Sequence, residues 1–149
     1  MKHDPTRADQ RQMMKALNEL EQAGFKRINK RWFRRSEETI VVVDLQRSSF
    51  SVFYYLSVAV WLLPLGDPSN PPREEQCHLR TRINDPATKG ALDLEKPMQS
   101  ADRQQLITRI VVESVLPLAE QCRTIAGCRA AVIEGKFEAI TRVARELLA

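Results

Sequence analysis

No stretch of this chain is apolar for long enough to cross a bilayer. The longest run, Val58 to Leu65, already contains Pro64, where a spanning helix needs roughly 20 residues. The first residues, MKHDPTRADQRQ, are polar and hold no apolar core of a signal peptide, so a cytoplasmic location without a membrane partner is expected. Glycine is scarce, at 5 residues, which leaves little material for a phosphate-cradling loop, and no GxGxxG, P-loop, GxSxG or HExxH pattern occurs. The 3 cysteines, Cys77, Cys122 and Cys128, make an odd count with no CxxC pair. That argues against a disulfide framework and against a zinc site and points to buried free thiols. Histidine is rarer still, with only 2 residues, His3 and His78. His78 follows Cys77 in an expected strand, where neighbours point to opposite faces, so the two cannot form a nucleophile-base dyad and His78 is expected to face solvent. With no such constellation the chain is expected not to be an enzyme, and no metal or cofactor is expected. There is no strong charge of one sign either. A net charge of +4, from 23 basic and 19 acidic residues, permits an acidic partner without demanding one.

What the sequence does have is a central stretch, Thr39 to Leu65, dense in β-branched and aromatic residues. Ile40 to Leu45 and Val52 to Val60 are too short and too β-branched for helices, and they read as a hairpin reversing at Arg47, Ser48 and Ser49. In the first strand Val41, Val43 and Leu45 make the cleaner core face, while Ile40, Val42, Asp44 and Gln46 make a partly polar one. In the second, Val52, Tyr54, Leu56, Val58 and Val60 oppose Phe53, Tyr55, Ser57 and Ala59. Both of its faces are largely apolar, as in a central strand covered on part of both sides. A strand around Arg31 to Arg35 precedes this hairpin, turned by Ser36-Glu37-Glu38, and must send Trp32 and Phe33 to opposite faces. Cys77 to Ile83 alternates as a strand with His78, Arg80 and Arg82 on its wet side. Ala91 to Leu94 adds a short last strand.

Helices flank the sheet region. Asp4-Pro5 is a favourable start, with Asp as N-cap and Pro at the first helical position. Met13, Ala16, Leu17 and Leu20 then form one face, and Gly24 ends the helix in a left-handed cap that brings Phe25 back on Leu20. Ser100 caps a long helix whose apolar stripe includes Ile107, Ile110, Val111, Val115 and Leu118. Pro117 inside it removes the bond to the carbonyl of Glu113 and predicts a kink or break. Cys128 to Ile133 and Lys136 to Leu148 read as one or two further helices. The expected architecture is therefore one α+β domain over 1–149: a helix in 4–23, an antiparallel sheet of four to five strands in 25–94, and two to three C-terminal helices in 100–148 packed on one sheet face.

The order of a helix, Gly24-Phe25-Lys26, the pair Phe33-Arg34, Leu45-Gln46-Arg47-Ser48, the strand Phe53-Tyr54-Tyr55-Leu56, and Arg80 with Arg82-Ile83 resembles a bacterial domain-of-unknown-function family, the one numbered 4304. The likeness covers about residues 8 to 125. It implies a fold type and no activity, and carries over no catalytic residue. An aromatic residue that the family pattern would place after the fourth strand is missing from Ala91 to Leu94.

Two binding readings follow. A chain with no reaction motif and an apolar sheet is expected to act as a protein-protein interaction module, immunity-like or regulatory by analogy with the family's context, with an unidentified protein partner. The alternative is nucleic-acid or anionic-ligand binding through the basic run Lys26 to Arg35, where Lys and Arg would neutralise phosphates and Trp32 and Phe33 would stack on bases. Against it, a strand divides those charges between faces, and Glu37 or Glu38 is placed to pair with Arg34 or Arg35 across the turn. The residues singled out for binding are Arg31, Arg34, Gln46, Arg47, Ser48, Arg80 and Arg82. For Gln46 and Ser48, a hydrogen bond that closes the hairpin is an equally good role.

Overall fold

A computed structural model describes residues 7–49, 52–68, 70–84 and 90–149. The expected cap at Asp4-Pro5 lies outside them. Helix α1 (Arg7–Leu17) buries Met13, Ala16 and Leu17. It is interrupted at Asn18 and resumes as the short α2 (Glu19–Gln22). Gly24 at φ +94 then closes it. The Phe25 amide donates to Leu20 O at 3.0 Å and the Gly24 amide to Glu21 O at 3.1 Å, the paired bonds of a Schellman cap, which needs the left-handed residue that glycine supplies without strain.

Among the described residues, six antiparallel strands follow in simple sequential order: β1 (Lys26–Ile28), β2 (Arg31–Arg35), β3 (Thr39–Arg47), β4 (Tyr54–Leu62), β5 (Leu79–Arg82) and β6 (Ala139–Ile140). The α+β class is as expected, but the sheet is wider than four to five strands, and three local readings change with it. The basic run after Phe25 contains a hairpin. Asn29 takes φ +56 in the two-residue turn between Ile28 and Arg31, a conformation that asparagine tolerates better than most residues. Ala91 to Leu94 is not a strand: it is a helical turn followed by a single bridge from Asp93 to Phe53. Part of the expected Lys136–Leu148 helix is instead β6, which pairs with the outer side of β5.

The late helices start with α3 (Ser100–Ile110), whose N-cap is Gln99 with no side-chain cap, so Ser100 is the first helical residue and not the cap. The helix runs through a π-helical stretch, Val111–Val115, into α4 (Leu116–Gln121). This is the form that the Pro117 disruption takes. A residue without an amide hydrogen cannot donate to the Glu113 carbonyl, and a wide turn upstream lets the helix continue without a break. Two shorter helices, α5 (Ile125–Ile133) and α6 (Arg142–Leu148), each begin with a threonine side chain accepting a backbone amide hydrogen.

These helices roof one face of the sheet. Trp32, Val41, Val43, Leu45, Leu56, Val58, Val60 and Leu79 meet Met13, Leu17, Ile107, Val111, Val115 and Leu118 in one buried core. Cys122 and Cys128 are buried in it as free thiols, and Cys77 is buried elsewhere. Phe33, as the alternation requires, lies on the other face. There Ile40, Val42, Ala59 and Cys77, with Trp61 and Leu63, form a second, smaller cluster lined by the loop that leaves β4 through the 3₁₀ turn Leu63–Leu65. Among the described residues, no helix is long and apolar enough to cross a membrane.

His78 departs from its expected place. Its backbone carries the β5 bonding one residue further, the amide donating to Val60 O at 3.0 Å and the carbonyl accepting from the Thr141 amide, but the residue is only 9 % exposed. Its Nδ1 accepts the Leu62 amide hydrogen at 2.9 Å, and its ring lies 4.5 Å from that of Trp61. Burial pushes its pKa below the ordinary value. Above about pH 6.5 the ring is neutral in both folded and unfolded chains. As pH falls below that, the unfolded chain takes up a proton that the folded chain resists, so stability is lost with falling pH by up to about 1.4 kcal/mol per pH unit until the folded ring protonates. The expected result is a steeper loss of urea stability from pH 7 to pH 5.5 in the parent than in His78→Asn, whose Oδ1 keeps the acceptor for Leu62. Identical slopes would show that His78 does not titrate across unfolding.

Candidate functional site

The sheet has one face under helices and one face that is only half covered. Strand alternation and register determine what the uncovered half displays. Arg31 pairs with Asp44, Asp44 with Ser57, and Ser57 with Arg82, so these four side chains form one row across β2, β3, β4 and β5. The neighbouring pair Gln46 and Tyr55 makes a second row nearer the β3–β4 hairpin. In the other direction the face becomes the apolar cluster around Val42 and Ala59, with Arg80 beside Ala59 on the outer strand.

Gln46 is the centre of this surface. It lines three adjoining hollows: one of about 380 Å³ with Arg31, Asp44 and Glu75, one of about 520 Å³ with Arg47, Ser48, Tyr55 and Arg82, and one of about 320 Å³ with Ser57, Glu74, Arg80 and Glu138. Their charges alternate in sign. The Arg82 guanidinium lies over the Tyr55 ring, 4.1 Å from its centre, a cation-π pair. Arg80 reaches Glu74 at 3.8 Å, and the Thr81 hydroxyl reaches Glu138 at 3.5 Å. Asp44 sits among them with its pKa raised, chiefly by burial and then by the nearby Glu74, while Arg31 opposes the shift. Arg31 Nε is buried there without a hydrogen-bond partner.

Of the seven residues singled out from the sequence, Arg31, Gln46, Arg47, Ser48, Arg80 and Arg82 therefore line these hollows. Arg34 does not. It points to the helical side, with its guanidinium 4.7 Å over the Phe25 ring, donating to Ala23 O at 3.2 Å and to Glu120 at 3.5 Å. It joins β2 to the helix ends, and burial lowers its pKa. Arg35 pairs with Asp67 through both guanidinium nitrogens, so the expected pairing of Arg34 or Arg35 with Glu37 or Glu38 does not form. Glu38 accepts the Ile125 amide hydrogen instead. The basic run is divided: Arg31 goes to the open face, Arg34 to the helical side and Arg27 to the edge beside α1, while Lys30 borders both that edge and the open face. The same parity that paired Gln46 with Asp44 in sequence also placed Tyr55 with Ser57. Those two complete the face and had been legible only as half of a central strand.

Nucleophilic chemistry finds no support among the described side chains of this face. Cys77, the thiol nearest to it, is buried and pushed up to about 12, first by desolvation and then by Glu74, so it holds its proton at neutral pH. The imidazole of His78 is engaged with the Leu62 amide.

The sequence model of a family described as "Domain of unknown function (DUF4304)" matches residues 16–121. No curated protein and no solved structure matches the chain.

Proposed function

The chain belongs to the DUF4304 family, whose description assigns it no reaction, and from that starting point we propose that it is a non-catalytic module that binds another protein on its open sheet face. The observation that carries this reading is the mixed charge of the face. Arg31, Arg73, Arg80 and Arg82 are interleaved with Asp44, Glu74, Glu75 and Glu138 around Gln46 and Tyr55. A polyanion such as nucleic acid would meet the carboxylates at every step, whereas a protein surface can offer both signs and hydrogen-bonding groups in register. Tyr and Arg are also the residue types that most often anchor protein interfaces. The alternative reading, a nucleic-acid stripe along Lys26 to Arg35, loses support because the arginines of that run leave in different directions.

The test places a photo-crosslinking residue at position 55 in cells, with the exposed Ile133 position as control. The reading expects one crosslinked protein of defined mass from position 55, absent from position 133 and lost when Arg82→Glu is added. Products that are the same at both positions, or that disappear on nuclease treatment, would count against it.

A further inference from the structure

Arg27 and Lys30, the latter standing where the open face borders α1, meet a second set of cations across a cleft. Helix α1 carries Arg7, Arg11 and Lys15 at intervals of four residues, so they rise along one side of the helix about 6 Å apart. The β1–β2 hairpin supplies Arg27 and Lys30 from the opposite wall, and the space between is a cleft of about 590 Å³, the size of a small-molecule site. Among the described residues that line it there is no acid. Arg27 reaches Glu21 at 3.6 Å outside the cleft lining. Arg7, Arg11 and Lys15 have no acidic partner among the described residues, and Lys30 lies 5.1 Å over the Tyr54 ring.

The floor has a different character. Met13 and Tyr54 are buried core residues whose surfaces close the bottom, and Met14 lines the side. Five cations around an apolar, aromatic and thioether floor are complementary to a molecule with several negative charges at one end and a flat or apolar group at the other. We propose that this cleft binds a polyphosphorylated small molecule with a planar head group, of the nucleoside-polyphosphate class: the phosphates between α1 and the hairpin, the ring against the half-buried Met14. A nucleic-acid strand is less suited, because the cations converge on one cavity and the continuation of the basic run is occupied, Arg34 at the helix ends and Arg35 by Asp67. This cleft adjoins the open face through Lys30, which lines both, but its ligand is tested without reference to protein docking there.

The experiment titrates the full chain with adenosine triphosphate, inorganic triphosphate and adenosine by calorimetry at about 50 mM salt, and repeats it at higher salt. The two triphosphates are expected to bind saturably, the nucleotide more tightly, with affinity falling as screening increases; adenosine alone is expected not to bind. The double substitution Arg11→Ala with Lys30→Ala is expected to weaken nucleotide binding about tenfold or more, a loss of two charge contacts. All five cations are exposed, so the variants are expected to melt with the parent; Lys15→Gln is a milder second variant. The proposal is overturned by absence of saturable binding, by equal affinity for nucleotide and triphosphate, by an unchanged affinity in both variants, or by a single-stranded RNA that binds more tightly with increasing length.

Discussion

Replacing Arg103 with alanine is expected to cost the fold about 3–5 kcal/mol, a fall in Tm of roughly 10–15 °C for a chain of this size. Arg103 is fully buried on the inner side of α3, one turn before Ile107. Its guanidinium donates to three backbone carbonyls of the segment ahead of the helix: to Ala91 O at 2.8 Å and Asp93 O at 3.0 Å through one nitrogen, and to Lys96 O at 2.7 Å through the other. Nε is left without a partner. Burial lowers its pKa, while the nearby Asp9 and Asp93 work in the opposite direction, and the ion stays charged at any ordinary pH. Alanine would leave the buried Ala91 carbonyl and the part-buried Asp93 and Lys96 carbonyls without their common donor, so the loss exceeds that of one ordinary hydrogen bond. Arg103→Lys is expected to recover only part of it, since a single ammonium cannot present the planar fork that reaches all three. Urea unfolding gives the magnitude. Amide exchange gives the location: the Leu94 amide, which donates to Val52 O at 3.0 Å, should lose protection first. A loss below about 1 kcal/mol would mean that Arg103 does not anchor this segment.

Gly127→Ala is expected to be nearly as damaging, at about 3 kcal/mol. Gly127 lies in the first turn of α5, where its amide donates to the Thr124 side chain at 3.0 Å, and the chain leaving α4 passes directly over it. A β-carbon there would stand 1.7 Å from Gln121 O and 2.9 Å from its carbonyl carbon. These are backbone atoms and cannot swing aside, so α5 must shift as a unit. The shift would also strain the neighbouring carbonyls, because Cys122 O accepts from the buried Thr39 hydroxyl at 2.6 Å and Arg123 O from Ser36 at 2.9 Å. The same substitution at Gly90 meets only the end of a lysine side chain, Lys96 Nζ at 3.2 Å, and is expected to change stability by less than about 0.5 kcal/mol. Equal melting temperatures for the two variants would refute the crowding argument.

Strands β2 to β5 were legible because their alternation is long enough to repeat and because each reversal carries its own turn residues. β1 and β6 have three and two residues, too few for any period, and both are set by pairing to a longer neighbour. For β1 a local signal existed in Asn29, hidden inside a run that reads first as charge. For β6 the sequence points the wrong way: Phe137, Ile140, Val143 and Ala144 keep a helical spacing, and the free edge of β5 overrides it. His78 fails for another reason: what covers it, the Trp61 ring and the Leu62 amide of β4, lies on a different strand. Alternation alone brought Asp44, Gln46, Arg80 and Arg82 toward a common polar face. The row that links Arg31 to Arg82 needed the register of four strands, which no single strand contains. Arg103 had its signal in the spacing, standing one turn before Ile107 on the stripe that the helix buries, where a charge is easily read as the start of the wet face.

The outer border of β5 is closed by the Glu138 amide donating to Arg80 O and the Thr141 amide donating to His78 O, and both donors lie beyond residue 121, where the match to the family stops. During synthesis this border is therefore sealed late, after α3, α4 and α5 have emerged. Until then the half-made chain carries an unpaired margin that another copy can zip onto, so its risk of misassembly is concentrated in that interval.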